Sequence, residues 1–250
     1  MLVVVSPAKK LDMTKIDMFG LTEPMFAAET LELAKTAGRL SKVQLKKLMG
    51  ISDALAELNQ ERFANFGKQM RKAAAYAFAG DTYQGLEMDS LESDEILWAQ
   101  NHLRILSGLY GLLRPLDEIE PYRLEMGSKL VTKRGKSLYE YWGSTLAEAL
   151  NEEAESTNSQ ALINCASKEY FSAVDQTVLS MPVITPTFLE NTDKGVKMVS
   201  FYAKKARGAM ARFILTRRLS DPDQIKEFDL GGYLYQANRS NFENPVFLRG

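Results

Sequence analysis

A single cysteine, Cys165, and a single histidine, His102, are all that 250 residues supply of the two most versatile metal ligands. One cysteine excludes an internal disulfide and fits a reducing compartment, so a cytoplasmic location is expected. One histidine leaves zinc, haem and Glu-x-x-His di-iron ligation without their usual donors, so neither a metal nor a cofactor is expected. No apolar run approaches the roughly 20 residues of a membrane span. The opening MLVVVS has no basic leader segment and no small-residue cleavage site, so it reads as a buried first strand and no membrane partner is expected. The phosphate loop G-x-x-x-x-G-K-[ST], the dinucleotide fingerprint G-x-G-x-x-G and the nucleophile elbow G-x-S-x-G are all missing. Ser167 and Lys168 are adjacent rather than three apart, which removes the serine–lysine acylation pattern. No repeat, low-complexity tract or linker divides the chain.

An overall excess of positive charge is lacking too. The chain carries 31 Lys and Arg against 32 Asp and Glu, a net −1, which is not the balance of a dedicated DNA-coating protein. The charges are segregated instead. Leu31 to Lys72 holds nine basic and four acidic residues, and Val196 to Arg218 holds seven basic residues and no acid. Between them, Asp81 to Gln100 has six acids and no base. Two positive regions and one acidic block are the pattern to be explained.

With 45% hydrophobic residues the chain can bury a large core. Hydrophobic patterning predicts a mixed α/β fold: a central mixed sheet with surrounding helices, and a small helical lobe at about 27–66 inserted in one domain spanning 1–250. Leu2 to Val5 is a strand ended by Ser6-Pro7. Three short helices follow within 27–66, broken near Gly38 and at Gly50. Ser93 is the expected N-cap of a helix with apolar positions Ile96, Ala99, Leu103 and Leu106, and a further helix is expected from about Ser137 to Ala154. ALINCA, PVITPTFLE and VKMVSF read as strands, GYLYQ and PVFLR as a C-terminal hairpin, and Asp221-Pro222 with Gln224 as a helix start with a capping-box partner.

Three constellations could carry chemistry. LKKLMGISDALAEL has the spacing of a helix-hairpin-helix, in which Gly50, Ile51 and Ser52 would present backbone N–H groups to a DNA phosphate, with Lys46 and Lys47 adding charge. Ser52 stands where the second glycine of such hairpins normally lies, and the alternative is a plain glycine C-cap followed by a serine N-cap. Ala54, Leu55 and Leu58 would then face inward. In FYAKKARGAMARFILTRR, Lys204, Lys205, Arg207, Arg212 and Arg218 fall on one arc of a helical wheel and Tyr202, Ala209, Met210, Phe213 and Ile214 on the other, so one cationic face is expected. LYGLLRPLDEIEPYRLEMG, with Arg114, Tyr122, Arg123 and Glu125, and NCASKEY, at the end of a strand, suggest a polar pocket of the kind open α/β sheets place at strand ends. Arg114–Glu125 or Arg123–Glu169 could equally be structural ion pairs there. His102 and the strand cysteine Cys165 are read as packing residues.

SPAKKLD at the start, FAGDTYQGL, LSGLYGLLRPLDEIEPYRLEMG, NCASKEY and FYAKKARGAMARF together resemble the YaaA family, in order and over nearly the whole chain. Thr82 and Cys165 stand where that family more often has valine and leucine. The resemblance implies a cytosolic protein of the hydrogen peroxide response that limits damage from unincorporated iron, binds DNA and has an α/β fold peculiar to the family. Joined to the residue reading, it predicts non-sequence-specific binding of duplex or distorted DNA by its backbone, through Lys10, Lys46, Lys47, Gly50, Ile51, Ser52, Lys204, Lys205, Arg207 and Arg212. The alternative is an enzyme acting on a nucleotide or nucleic acid, with Lys9, Asp81, Arg123, Asn164, Glu169 and Lys205 in one cleft. A third is a regulatory protein that docks through the acidic block between Asp81 and Glu95.

Overall fold

The computed structural model describes residues 1–250. Its first half runs β1 (Leu2–Val5), α1 (Ala27–Gly38), α2 (Lys42–Met49), α3 (Asp53–Ala64), β2 (Lys72–Ala73), α4 (Ala74–Ala77), α5 (Asp81–Leu86), α6 (Ser93–His102), β3 (Leu103–Ser107), β4 (Gly111–Leu113) and β5 (Glu118–Ile119). The second runs α7 (Leu138–Trp142), α8 (Thr145–Ser156), β6 (Leu162–Cys165), α9 (Lys168–Phe171), β7 (Val183–Ile184), β8 (Thr187–Thr192), β9 (Gly195–Lys197), α10 (Ser200–Arg217), β10 (Tyr233–Tyr235) and β11 (Val246–Arg249).

The main sheet has the order β4-β3-β1-β6-β7. β1 lies parallel to β3, with Val3 opposite Leu103, and parallel to β6, with Val5 opposite Cys165. Both neighbours and β1 are buried along their whole length, which is why LVVV, LRILS and LINC are near-continuous apolar runs without alternation. The chain leaves β1 toward β3 and β4, then returns to build β6 and β7 on the other side. Strand order therefore reverses between β1 and β6, the place where open parallel sheets form their ligand crevices.

A second sheet, β10-β11-β8-β9, is formed by the C-terminal third. The expected hairpin of β10 and β11 is present, and β11 also pairs in parallel with β8. α10 lies between this sheet and α5. Its crossing with α5 is the tightest in the molecule: a Cβ on Gly208 would fall 1.8 Å from the Thr82 carbonyl oxygen, and one on Gly85 would fall 2.0 Å from that of Lys205. One cluster of 66 buried residues spans the chain from Met1 to Phe247 and takes in Leu33, Leu45 and Phe63 of the first three helices.

Several boundaries differ from expectation. Leu103 and Leu106 are in β3, not on the helix before them: their side chains belong to a fully buried strand, and an apolar spacing of three or four residues fits a strand buried on both faces as well as a helix. That helix is capped by Glu92, in a capping box with Glu95, rather than by Ser93. The helix expected over 137–154 is broken into α7 and α8 at Gly143, whose φ of 48° an L residue rarely adopts. VKMVSF is split between β9 and the first turn of α10. Asp221 does cap a turn of 3₁₀ helix, but by accepting from the Asp223 amide, and Gln224 closes no box.

Candidate functional site

The loops that follow β1 and β6 meet across the switch point. Ser167 donates its backbone N–H to Ser6 Oγ at 2.8 Å, and the two hydroxyls lie 3.3 Å apart. The β1 loop is then laid along the entrance to α5: Ala79 N donates to Lys10 O at 2.9 Å and Asp12 N to Ala77 O at 2.8 Å. Gly80 is required there, since a Cβ would lie 2.9 Å from Ala8 Cβ. The buried Tyr83 donates its hydroxyl to Ser6 O at 3.2 Å and ties the same loop from below.

These loops enclose a cleft of about 510 Å³. Its charged lining consists of Lys9, Lys10, Lys204 and Arg207 against Asp81 and Glu169. Lys10, Lys204 and Arg207 have no carboxylate within ion-pairing distance, whereas Lys9 reaches Glu125 at 3.1 Å. Arg207 is the most enclosed of the four cations, and burial lowers its pKa. Beneath it lies Cys165, whose thiol is pushed up to about 12 by burial, against the opposing pull of the Arg207 charge. Glu169 is held in place: its Oε1 accepts from Gly127 N at 3.1 Å, and Tyr139 donates its hydroxyl to the Glu169 carbonyl at 2.8 Å.

Of the residues singled out from sequence for a polar pocket, Lys9, Asp81 and Glu169 line this cleft. Arg123 stands at its shoulder, in a smaller recess that shares Pro7, Ala8, Lys9 and Tyr170, and there it pairs with Glu125 at 3.0 Å. Neither ion pair named beforehand forms; Arg114 pairs instead with the buried Asp117 at 3.1 Å. Asn164 is a strand residue with a structural task, accepting from Ala166 N at 3.0 Å and donating to Thr185 Oγ1 at 3.3 Å, and it does not line the cleft. Lys205 is elsewhere.

The expected single cationic face of α10 is divided. Gly208 falls between Lys204 and Lys205 on the helix surface, and α5 is seated on it, so Lys204 and Arg207 face the cleft while Lys205 and Arg212 face a separate groove on the other flank. Acids from the expected docking block cover two of the arginines. Arg212 donates to the Glu87 carbonyl at 2.9 Å and lies 3.9 Å from its carboxylate, and Arg218 is paired with Asp94. Two of the block's six acids, Glu87 and Asp94, are thus engaged with the basic helix and its C-cap. Tyr202, expected to pack, is solvent-exposed on the rim of that groove, with Arg249 over one face of its ring.

The segment around Gly50 takes the plainer of its two alternatives, and the cleft includes none of its residues. Gly50 has φ 60° and closes α2, and Ser52 caps α3 by accepting from Leu55 N at 3.3 Å. Lys46 is spent on Asp53 at 2.8 Å, and Asp53 sets a carboxylate in the first turn of α3, where a phosphate would have to dock. Lys47 is exposed without a carboxylate partner, and Ile51 is buried in the core. Ala56, Asn59 and Phe63 are the inward face of α3; Leu55 and Leu58 are exposed.

Sequence reasoning missed Ser6, whose hydroxyl becomes informative only when β1 and β6 are known to be parallel neighbours. It also passed over the run from Lys129 to Lys136, four basic residues without an acid, on the loop that Gly127 ties to Glu169. That signal was in the sequence.

Comparison with known proteins gives one consistent result. The family described as "Peroxide stress protein YaaA" matches residues 1–239. A UPF0246 protein of Ruegeria pomeroyi is 58% identical over 253 residues, covering all of this chain and 98% of that one. A UPF0246 protein of Roseobacter denitrificans is 57% identical over 255 residues, with 100% and 98% covered, and one of Cereibacter sphaeroides is 51% identical over 256 residues, with 100% and 99% covered.

Proposed function

Because the chain belongs to the peroxide stress protein YaaA family, we propose that it serves the peroxide response by holding the phosphate backbone of DNA in the cleft between β1 and β6. The observation that carries this reading is the set of three cations, Lys10, Lys204 and Arg207, that line the cleft without carboxylate partners. Other cations without a carboxylate partner, such as Lys35 and Lys47, lie exposed on the outer faces of helices, whereas these three converge in one concavity with Arg207 drawn out of water, and so ask for an anion. Phosphates are the anions for which a lysine and arginine cluster is best suited, and no base-reading element accompanies it, so contact would be to the backbone and independent of sequence. Neutralising phosphates releases their condensed counterions, and ferrous iron held on DNA would be displaced with them. That is the step by which binding would limit iron-dependent damage.

Titration of labelled duplexes of unrelated sequence, and of duplexes with an unpaired bubble, tests the reading. Lys10→Ala, Lys204→Ala and Arg207→Ala combined should weaken all of them alike, while Lys46→Ala with Lys47→Ala should change little. Equal affinity of the cleft variant and the natural chain would refute it.

One observation favours a second reading. The cleft sits at the topological switch point, has the volume of a small-molecule site and contains Asp81 and Glu169 as well as cations. An enzyme acting on a nucleotide would use the same place, with the carboxylates as acid or base. Turnover of a nucleotide abolished by Asp81→Asn or Glu169→Gln, with DNA binding retained, would establish it.

A further inference from the structure

On the other flank of α5 lies a groove of about 370 Å³ that shares no residue with the cleft. Phe201, Lys205, Ala209 and Arg212 recur along α10 at steps of four, four and three, and so form one stripe down its wall. Gly85 and Ala206 add no bulk between the walls. Leu230, Gly231, Tyr233 and Arg249 form the facing wall.

Two properties of this groove are unusual together. Its rim carries aromatic rings open to solvent: Phe201 is 52% and Tyr202 42% exposed, set edge to face with centroids 5.5 Å apart. One face of Tyr202 is covered by the Arg249 guanidinium at 4.3 Å, but no ring or cation covers Phe201 apart from its edge contact with Tyr202. One helical turn further on, Lys205 has no carboxylate within ion-pairing distance. Arg212 and Arg249 are anchored, by Glu87 and by Glu190 at 2.8 Å, and the charged lining is three cations against Glu87. An aromatic face offers stacking and a free ammonium offers an anion site, about 6 Å apart along the helix axis.

From this juxtaposition we infer that the groove binds a nucleotide, its base stacked on Phe201 and its phosphate held by Lys205. A planar ring with an anionic group one sugar away answers both features, whereas inorganic phosphate uses only the ammonium and a nucleoside only the ring. The nucleotide is either free or a residue of an unpaired strand, since both present the same chemistry. The inference does not rest on the cleft's binding DNA.

Calorimetric titration of the full chain with AMP tests it, with adenosine and inorganic phosphate as partial ligands. AMP should bind at least tenfold more tightly than either, and Phe201→Ala and Lys205→Ala should each weaken it about tenfold. Both side chains are exposed, so the variants should melt with the natural chain. Should Phe201→Ala melt early, Phe201→Leu removes the ring and keeps the bulk. Displacement of AMP by a ten-residue oligodeoxyadenylate assigns the site to an unpaired strand, and failure to displace assigns it to the free nucleotide; either result supports the inference. No AMP binding at millimolar concentration, affinity unaltered in both variants, or affinity lost in Lys204→Ala but kept in Phe201→Ala would overturn it.

Discussion

Arg207 is a cation drawn out of water without a carboxylate to compensate it, and burial lowers its pKa accordingly. Such a group costs folding free energy and is repaid only when an anion arrives. Arg207→Met should therefore leave Tm unchanged or raise it, yet weaken DNA binding roughly tenfold to a hundredfold, the worth of about 1.5–3 kcal/mol for a hydrogen bond to a charged group. A melting curve and a binding isotherm on the same preparation check both halves. Cys165 is the opposite kind of residue, a thiol whose protonated form the fold protects. With its folded pKa at about 12, the unfolded chain gives up this proton first once pH rises past about 8.5, so Cys165 contributes a loss of stability above that value and none below it. Tyr122 and Tyr170, whose hydroxyls burial raises, act in the same direction at higher pH. The difference between the natural chain and Cys165→Ala in denaturant unfolding at pH 8 and pH 10 isolates the cysteine. The same burial predicts no labelling by a thiol reagent at pH 8 until denaturant is added, which sets Cys165 apart from peroxide-sensing thiols, held exposed and at low pKa.

The crossing of α5 and α10 is what divides the positive charge of α10 between two sites. Gly208→Ala sets a methyl 1.8 Å from a backbone oxygen that cannot step aside, so it should cost more than the roughly 1–3 kcal/mol of ordinary overpacking. Thermal or denaturant unfolding measures it, and an unchanged midpoint would mean that the two helices are not in contact. This crossing also marks where sequence reasoning stopped. The wheel of α10 correctly placed Met210, Phe213 and Ile214 in the core, because periodicity reports which side of a helix is apolar. It could not report that the backbone of α5, from Thr82 to Leu86 with Gly85 at the contact, would be seated between Lys204 and Lys205. Glycines carry no hydropathy signal, so the contact that splits the cationic face left no trace in the pattern. β1 and its end at Ser6-Pro7 were legible from composition alone, as were Gly50 and the C-terminal hairpin. The helix-to-strand switch at Leu103 was not, since a doubly buried strand and a buried helix share the same residues.

For the molecule as a whole, a net charge of −1 conceals an uneven arrangement of paired and unpaired charges. Glu87 and Asp94 pair with Arg212 and Arg218 of α10 and its C-cap, Asp53 and Glu57 pair with Lys46 and Lys42 of the helices around Gly50, and Lys10, Lys204 and Arg207 are left uncompensated together at the carboxyl edge of the parallel sheet. Lys9, Asp81 and Glu169 could be assembled from sequence because each follows a strand or opens a helix; Asn164 and Lys205 could not be excluded, because which way a strand or helix residue points depends on pairing that no local pattern encodes. The central claim is electrostatic, so the salt dependence of duplex binding is its most direct measurement. Each phosphate neutralised contributes about 0.9 to the slope of log K against log salt, so removing Lys10, Lys204 and Arg207 together should flatten that slope by up to about 2.7. A slope identical to that of the natural chain would contradict the account.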